Sequence, residues 1–217
     1  QANLKVLWEN ALPIKGTESV KQLLILGSRV YVVSDKDYIL SLNRDNGKIV
    51  FAKTFKPAGL LAGGFKLYGD ELIYVSGSRL IQIDAELGTE RSMTDLGFGV
   101  TCPAARNNAF FYVAGVNYRL HVLRADDKVQ IFEVSADNDS MITSVLADEA
   151  FVLFATSAGN IICMKPHNST RLWQFDAFDA IAGPVVRDWA SLYFASKDTN
   201  VYRLDMVGLP EQRRLVW

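Results

Sequence analysis

The sequence predicts an all-β chain, a β-propeller of four-stranded antiparallel blades, and three observations carry that expectation. One motif returns every 40 to 41 residues. Each copy follows a strand-length apolar run set behind a polar corner, and no segment sustains an apolar period of 3.6 residues.

The period emerges when the stretches "ILSLNRDNGKIVF" from 39, "LIQIDAELGTERS" from 80, "LHVLRADDKVQIF" from 120, "IICMKPHNSTRLW" from 161 and "VYRLDMVGLPEQRRLVW" from 201 are aligned. An apolar anchor falls at Leu42, Ile83, Leu123, Met164 and Leu204, with spacings of 41, 40, 41 and 40. Nine residues beyond the first four anchors stand Phe51, Ser92, Phe132 and Trp173; a four-residue insertion around Pro210 delays the equivalent Trp217. Upstream of each anchor lies a β-branched and aromatic run: "RVYVVS" at 29, "ELIYVS" at 71, "AFFYVA" at 109, "AFVLFA" at 150 and "SLYFAS" at 191. Such near-continuous apolar runs suit strands buried on both faces. The corners before them, Gly27-Ser28, Gly69-Asp70, Asn107-Asn108, Asp148-Glu149 and Asp188-Trp189, read as hairpin turns. Looser apolar segments such as "ITSVLA" at 142 and "GPVVR" at 183 supply a first strand.

Each unit is therefore four strands, A to D, and the expected blades span 19–55, 56–96, 97–136, 137–177 and 178–217. Closing D strands are expected near 5–9, 49–54, 90–94, 129–134, 171–175 and 212–217, the first being an orphan within 4–10. A unit this small exposes two apolar faces and buries them by stacking on its neighbours.

Composition narrows the function. The 217 residues are 49% hydrophobic and 22% charged, which suits a packed core. With 23 basic against 24 acidic residues, and Arg213-Arg214 as the longest basic cluster, there is no electrostatic footprint for nucleic acid or an anionic membrane surface. Apolar runs stop at strand length, far short of the roughly 20 residues that span a bilayer. The N-terminal stretch lacks the regions of a signal peptide, which leaves a cytosolic chain or a mature secreted one. Cys102 and Cys163 stand 61 residues apart with no CxxC; buried thiols are expected, a disulfide or a reactive thiol being the alternative.

An apolar strand, a turn of the type "LNRDNGK" or "IDAELGT" and a short strand ending in an aromatic residue resemble the pyrroloquinoline-quinone-like repeat of quinoprotein-type propellers. Leu42 to Phe51 and Met164 to Trp173 carry the likeness best, with Gly47, Asp84, Gly88 and Asp205 matching the turn. The third copy departs with Asp126-Asp127 where glycine is usual, and the second with Ser92 in the aromatic slot. The resemblance implies a ring of seven or eight blades, of which this chain would hold about five. It also implies that Trp8, Phe51, Phe132, Trp173 and Trp217 dock each closing strand into the next blade, with Phe51, Phe132 and Trp173 buried there. Among small propellers of this repeat type, the lipoprotein subunit of the outer-membrane β-barrel assembly machinery, a periplasmic scaffold, is similar in character.

Enzymes of that family need a quinone cofactor over a tryptophan, often adjacent cysteines, a calcium ion and an aspartate base. Adjacent cysteines are missing here, and Trp189 sits in an A–B corner where a solvent-shielding contact is expected. No catalytic, cofactor-binding or metal residue is therefore assigned. The stretches "SADNDS" at 135 and "FDAFDA" at 175 read as solvated connections, and His121 and His167 as surface or turn residues. No GxSxG, P-loop or HExxH occurs. Asn138 and Asn168 head glycosylation acceptor triplets. The expected function is a non-catalytic protein-interaction scaffold holding a protein partner, periplasmic or otherwise extracytoplasmic, with the cytoplasm left open. The alternatives are a fragment of a quinone-dependent dehydrogenase and a luminal or extracellular sensing domain.

Overall fold

The computed structural model describes residues 5–36, 38–54, 64–181 and 183–206. These hold nineteen strands and a single 3-10 turn at Asp137–Asp139. The chain divides into two compact units, residues 1–95 and 96–217.

The first unit contains two antiparallel sheets with strands in chain order. One is β1 (Val20–Leu26), β2 (Arg29–Ser34), β3 (Tyr38–Asn43) and β4 (Ile49–Thr54); the other is β5 (Lys66–Tyr68), β6 (Glu71–Ser76), β7 (Arg79–Asp84) and β8 (Glu90–Asp95). The second and third strands of each are the continuous apolar runs, and they are buried on both faces. Tyr31, Val33 and Ile39 of the first sheet pack on Leu72, Tyr74, Ile81 and Ile83 of the second. The other face of the first sheet, Val30, Val32, Leu40 and Leu42, is covered by Trp8, Leu12 and Ile14.

The second unit repeats the plan. Its sheets are β9 (Ala105–Arg106), β10 (Phe110–Ala114), β11 (Arg119–Arg124) and β12 (Gln130–Ser135); then β13 (Ile142–Ala147), β14 (Val152–Thr156), β15 (Asn160–Met164) and β16 (Arg171–Asp176); then β17 (Val186–Asp188), β18 (Ser191–Ala195) and β19 (Val201–Asp205). Tyr112, Leu120 and Val122 pack against Val145, Phe154 and Ile162, and Leu153 and Ile161 against Leu192 and Phe194.

The repeating anchors have a physical cause. Leu42, Ile83, Leu123 and Met164 each sit where the ladder between the third and fourth strands shifts register. The turn beyond is closed by an equivalent hydrogen bond in each of the four blades: Asn43 N to Lys48 O, Asp84 N to Thr89 O and Arg124 N to Val129 O at 2.8 Å, and Lys165 N to Thr170 O at 2.9 Å. In the two copies closest to the motif, the Asn or Asp side chain caps the turn. Asn43 Oδ1 accepts from the amides of Asp45 and Asn46, and Asp84 Oδ1 from those of Glu86 and Leu87. Gly47 and Gly88 then take φ of +69° and +64°. In the third copy Lys128 holds the same left-handed place at +61°, so the turn survives without glycine.

One expected strand is not formed. Residues 5–10 have no strand pairing, and side chains hold them instead: Trp8 Nε1 donates to Arg44 O at 2.8 Å and Asn10 Nδ2 to Gly47 O at 2.7 Å. A strand needs a ladder partner, and these residues are tied to the turn rather than to an edge. The D strand expected at 212–217, with Trp217, lies outside the described residues.

Candidate functional site

Two kinds of place in the molecule are built from repeated positions: the slots between adjacent blades, and the turns at the two ends of each sheet.

In the first unit the slots share one design. A Cβ added to Gly47 would lie 2.5 Å from the Trp8 ring, and one added to Gly88 would lie 2.7 Å from the Phe51 ring. An aromatic residue thus lies flat on a glycine turn in both copies, which only a residue without a side chain permits. Phe51 is 7% exposed and meets Tyr31 with ring centroids 6.4 Å apart. Phe132 and Trp173 are only half-buried, packed at the margins of their cores. They fall short of the expected burial between blades, whereas Phe51, also on a closing strand, is covered by the Gly88 turn and Tyr31.

A second link escaped the sequence reading. The Tyr31 hydroxyl donates to Ala85 O at 3.4 Å and the Tyr112 hydroxyl to Pro166 O at 3.1 Å, each reaching the C–D turn of the following blade. Both phenols are fully buried, and burial raises their pKa values above that of an ordinary phenol, because the anion is costly away from water. The tyrosine inside each apolar run was the available signal, since a buried hydroxyl needs a partner. Links one period long join equivalent positions in neighbouring blades: Thr101 Oγ1 to Ile142 O at 2.7 Å, Asn107 Nδ2 to Asp148 O at 3.0 Å and Val185 N to Ser144 Oγ at 3.1 Å.

Ionic groups gather at Arg91, whose guanidinium donates to Asp70 Oδ2 at 2.6 Å, to Asp84 Oδ2 at 2.5 Å and to Glu71 Oε1 at 3.3 Å. Hydrogen bonding from Arg91 lowers the Asp70 carboxyl below the usual range; for Asp84 the Leu87 amide comes first and Arg91 second. This is a solvated structural clasp across one blade. His121 is a correction. It is buried in β11, stacked on Phe98 with ring centroids 3.9 Å apart, and its ring nitrogens meet Gln130 Oε1 at 2.9 Å and Asn117 Oδ1 at 3.1 Å. Polar partners at both nitrogens are what let an imidazole enter a core. His167 is exposed, edge-on to Phe110. The two cysteines, Cys102 and Cys163, are both buried thiols, Cys102 within the core that Tyr112 and Phe154 share.

Trp189 is a second correction. It is 90% exposed instead of shielding anything, at φ +52°, in the corner position that Gly27 and Gly69 occupy at +57° and +58° in the first unit. It borders a cleft of about 660 Å³ that also meets Phe151, Leu172, Trp173, Arg187 and Met206. Arg187 is engaged there, donating to Asp148 Oδ2 at 2.6 Å and to Trp189 O at 2.9 Å. Asn138 and Asn168 are both exposed; Ser140 of the first triplet is buried and donates to Asp137 O at 2.7 Å, while Asn168 Oδ1 accepts from Thr170 N at 2.9 Å. Among the described residues no group of three or more His, Cys, Asp or Glu side chains is placed to hold a metal ion, and no helix is long and apolar enough to cross a membrane.

Solved structures give the fold. BamB from Moraxella catarrhalis superposes with a TM-score of 0.69 at 18% identity, over 90% of this chain and 62% of that one. The Cps50 (Swd1) β-propeller domain from Myceliophteria thermophila does so with a TM-score of 0.71 at 12% identity, over 90% and 70%. The fold is a β-propeller. BBS1N, solved in complex with ARL6DN, matches likewise, with a TM-score of 0.71 at 10% identity over 91% of this chain and 68% of that one. The chain thus spans about two thirds of the length of these propellers. No protein-family model and no curated protein matches it.

Proposed function

We propose that the chain is a non-catalytic protein-interaction scaffold, part of a seven- or eight-bladed ring, working outside the cytoplasm in an envelope assembly complex. The observation that carries the scaffold reading is the display of Phe178 and Trp189, 94% and 90% exposed, on turns whose backbones are pinned: Ala177 N donates to Gly159 O at 2.9 Å, and Arg187 holds Trp189 O. Holding such rings in water forgoes about 1.5–3 kcal/mol each relative to burial, which a covering partner recovers. A rigid β frame with function in its turns is the usual division of labour. That BBS1N was solved in complex with ARL6DN supports the reading, as does the resemblance of the repeat to that of a periplasmic scaffold subunit.

The larger ring is supported by β1. Leu24 and Leu26 pack inward, while Leu23 and Ile25 on its opposite face are 59% and 58% exposed, a face suited to a further blade. Native mass spectrometry of the protein isolated from its source tests the function: a stoichiometric hetero-complex is expected, and a monomer overturns the scaffold. Recovery in the cytosolic fraction overturns the compartment.

A further inference from the structure

The second unit presents one end of its sheets as a continuous platform. In an up-and-down sheet the B–C turns and the D–A connections lie at the same end. Here they are laced together by backbone hydrogen bonds: Val116 N to Gly99 O at 2.9 Å, Ala136 N to Tyr118 O at 2.8 Å, Ser157 N to Met141 O at 2.8 Å, Ala177 N to Gly159 O at 2.9 Å and Lys197 N to Ala180 O at 2.8 Å. Such lacing orders the end of the sheets before anything binds, which lowers the entropic cost of association.

Two chemistries are displayed on it. Val116, Met141 and Phe178 stand 55%, 45% and 94% exposed. Between them the connections carry Asp137, Asp139, Asp176, Asp179 and Asp198 against the single cation Lys197. Asp137 is neutralised by Arg171. Among the described residues no ion pair engages the other four carboxylates. The opposite turns differ, because there cations stand among the acids: Arg124 meets Asp127 at 2.9 Å, Arg187 meets Asp148 at 2.6 Å, and Lys128 and Lys165 lie in turns at that end. One end of the unit is therefore acidic with apolar knobs, and the other is balanced.

We infer that this end of the second unit is the docking surface for a basic protein segment carrying aliphatic or aromatic side chains, the apolar groups covering Phe178 and Met141 and the cations facing the exposed carboxylates of Asp139 and Asp179. The charge complementarity sets orientation and encounter rate, and the apolar contacts set residence. The inference rests on the scaffold reading and specifies the surface and partner chemistry for it.

A fluorescent synthetic peptide of alternating Lys and Phe is the probe, with Lys/Ser and Glu/Phe peptides of equal length beside it, each titrated by anisotropy. The Lys/Phe peptide is expected to bind at least about tenfold more tightly than either control and to weaken severalfold as salt rises. Phe178→Ser, and separately Asp139→Lys with Asp179→Lys, should each weaken it about tenfold, with unchanged circular dichroism melting because the altered side chains are exposed; Asp126→Lys at the opposite end should not. Equal binding of the Glu/Phe peptide, or indifference to the substitutions at this end, overturns the inference. In the native complex, a hetero-complex that survives Asp139→Lys with Asp179→Lys but is lost with Trp189→Ser leaves the scaffold standing and this surface refuted. A native monomer refutes the scaffold itself.

Discussion

Gly88→Ala tests the slot design at the position where the docked ring is buried. Gly88 holds φ +64°, and an added Cβ would meet Cγ and Cδ2 of Phe51 at 2.7 Å. Two costs follow. The left-handed backbone costs an L-residue about 1–2 kcal/mol, and forcing a methyl against a ring that is 7% exposed adds about 1–3 kcal/mol of overpacking. The loss expected from urea unfolding is thus about 2–5 kcal/mol. Phe51→Ala alone should cost about 3 kcal/mol or more, since it opens a cavity beside Tyr31 and Ala85. In the double variant the methyl added at position 88 enters the vacated space, so only the backbone strain is added to the Phe51→Ala loss. The cycle should therefore show a favourable coupling of about 1–3 kcal/mol. Additivity within about 0.5 kcal/mol would mean that Phe51 does not rest on the glycine turn, and the slot reading would fail.

Other outcomes follow from the same structure. Tyr112→Phe removes the hydrogen bond to Pro166 O and should cost about 1–2 kcal/mol by chemical denaturation at neutral pH. The Tyr112 pKa is raised in the folded state, so its contribution is complete below the ordinary phenol value of about 10 and is lost as pH rises beyond it; a melting series above pH 10 should fall less steeply in Tyr112→Phe than in the parent. Asp70 and Asp84 are lowered, so the stability they contribute is present above their ordinary values and lost as pH falls below about 4; melting points between pH 2 and 5 should show a shallower acid limb in Arg91→Ala. Trp189→Gly relieves a left-handed backbone at a residue that buries little, and after the added freedom of the unfolded chain it should stabilise by about 0.5–1 kcal/mol. A destabilisation above about 1 kcal/mol would show that the indole packs.

The blades were legible because a propeller writes its architecture as a period. The anchors Leu42, Ile83, Leu123 and Met164 mark the register shifts before each C–D turn, and the apolar runs of β2, β6, β10 and β14 are buried on both faces, as stacked repeats require. Local chemistry sufficed there, since the turn is capped by its own Asn43 or Asp84 side chain. What a residue meets one blade away was not legible. His121 reads as a surface residue until Gln130 and Asn117 are brought to its two nitrogens, and Trp189 reads as a shield until its corner is seen to hold it at φ +52° in water. Residues 5–10 have a D-strand pattern but no ladder, because pattern states what a segment could pair with and only the packed neighbours decide whether an edge is there. The acidic, apolar end of the second unit belongs to the same category: its residues are scattered from 116 to 198 and become one surface only when the strands between them run antiparallel and bring the B–C turns and D–A connections to the same end.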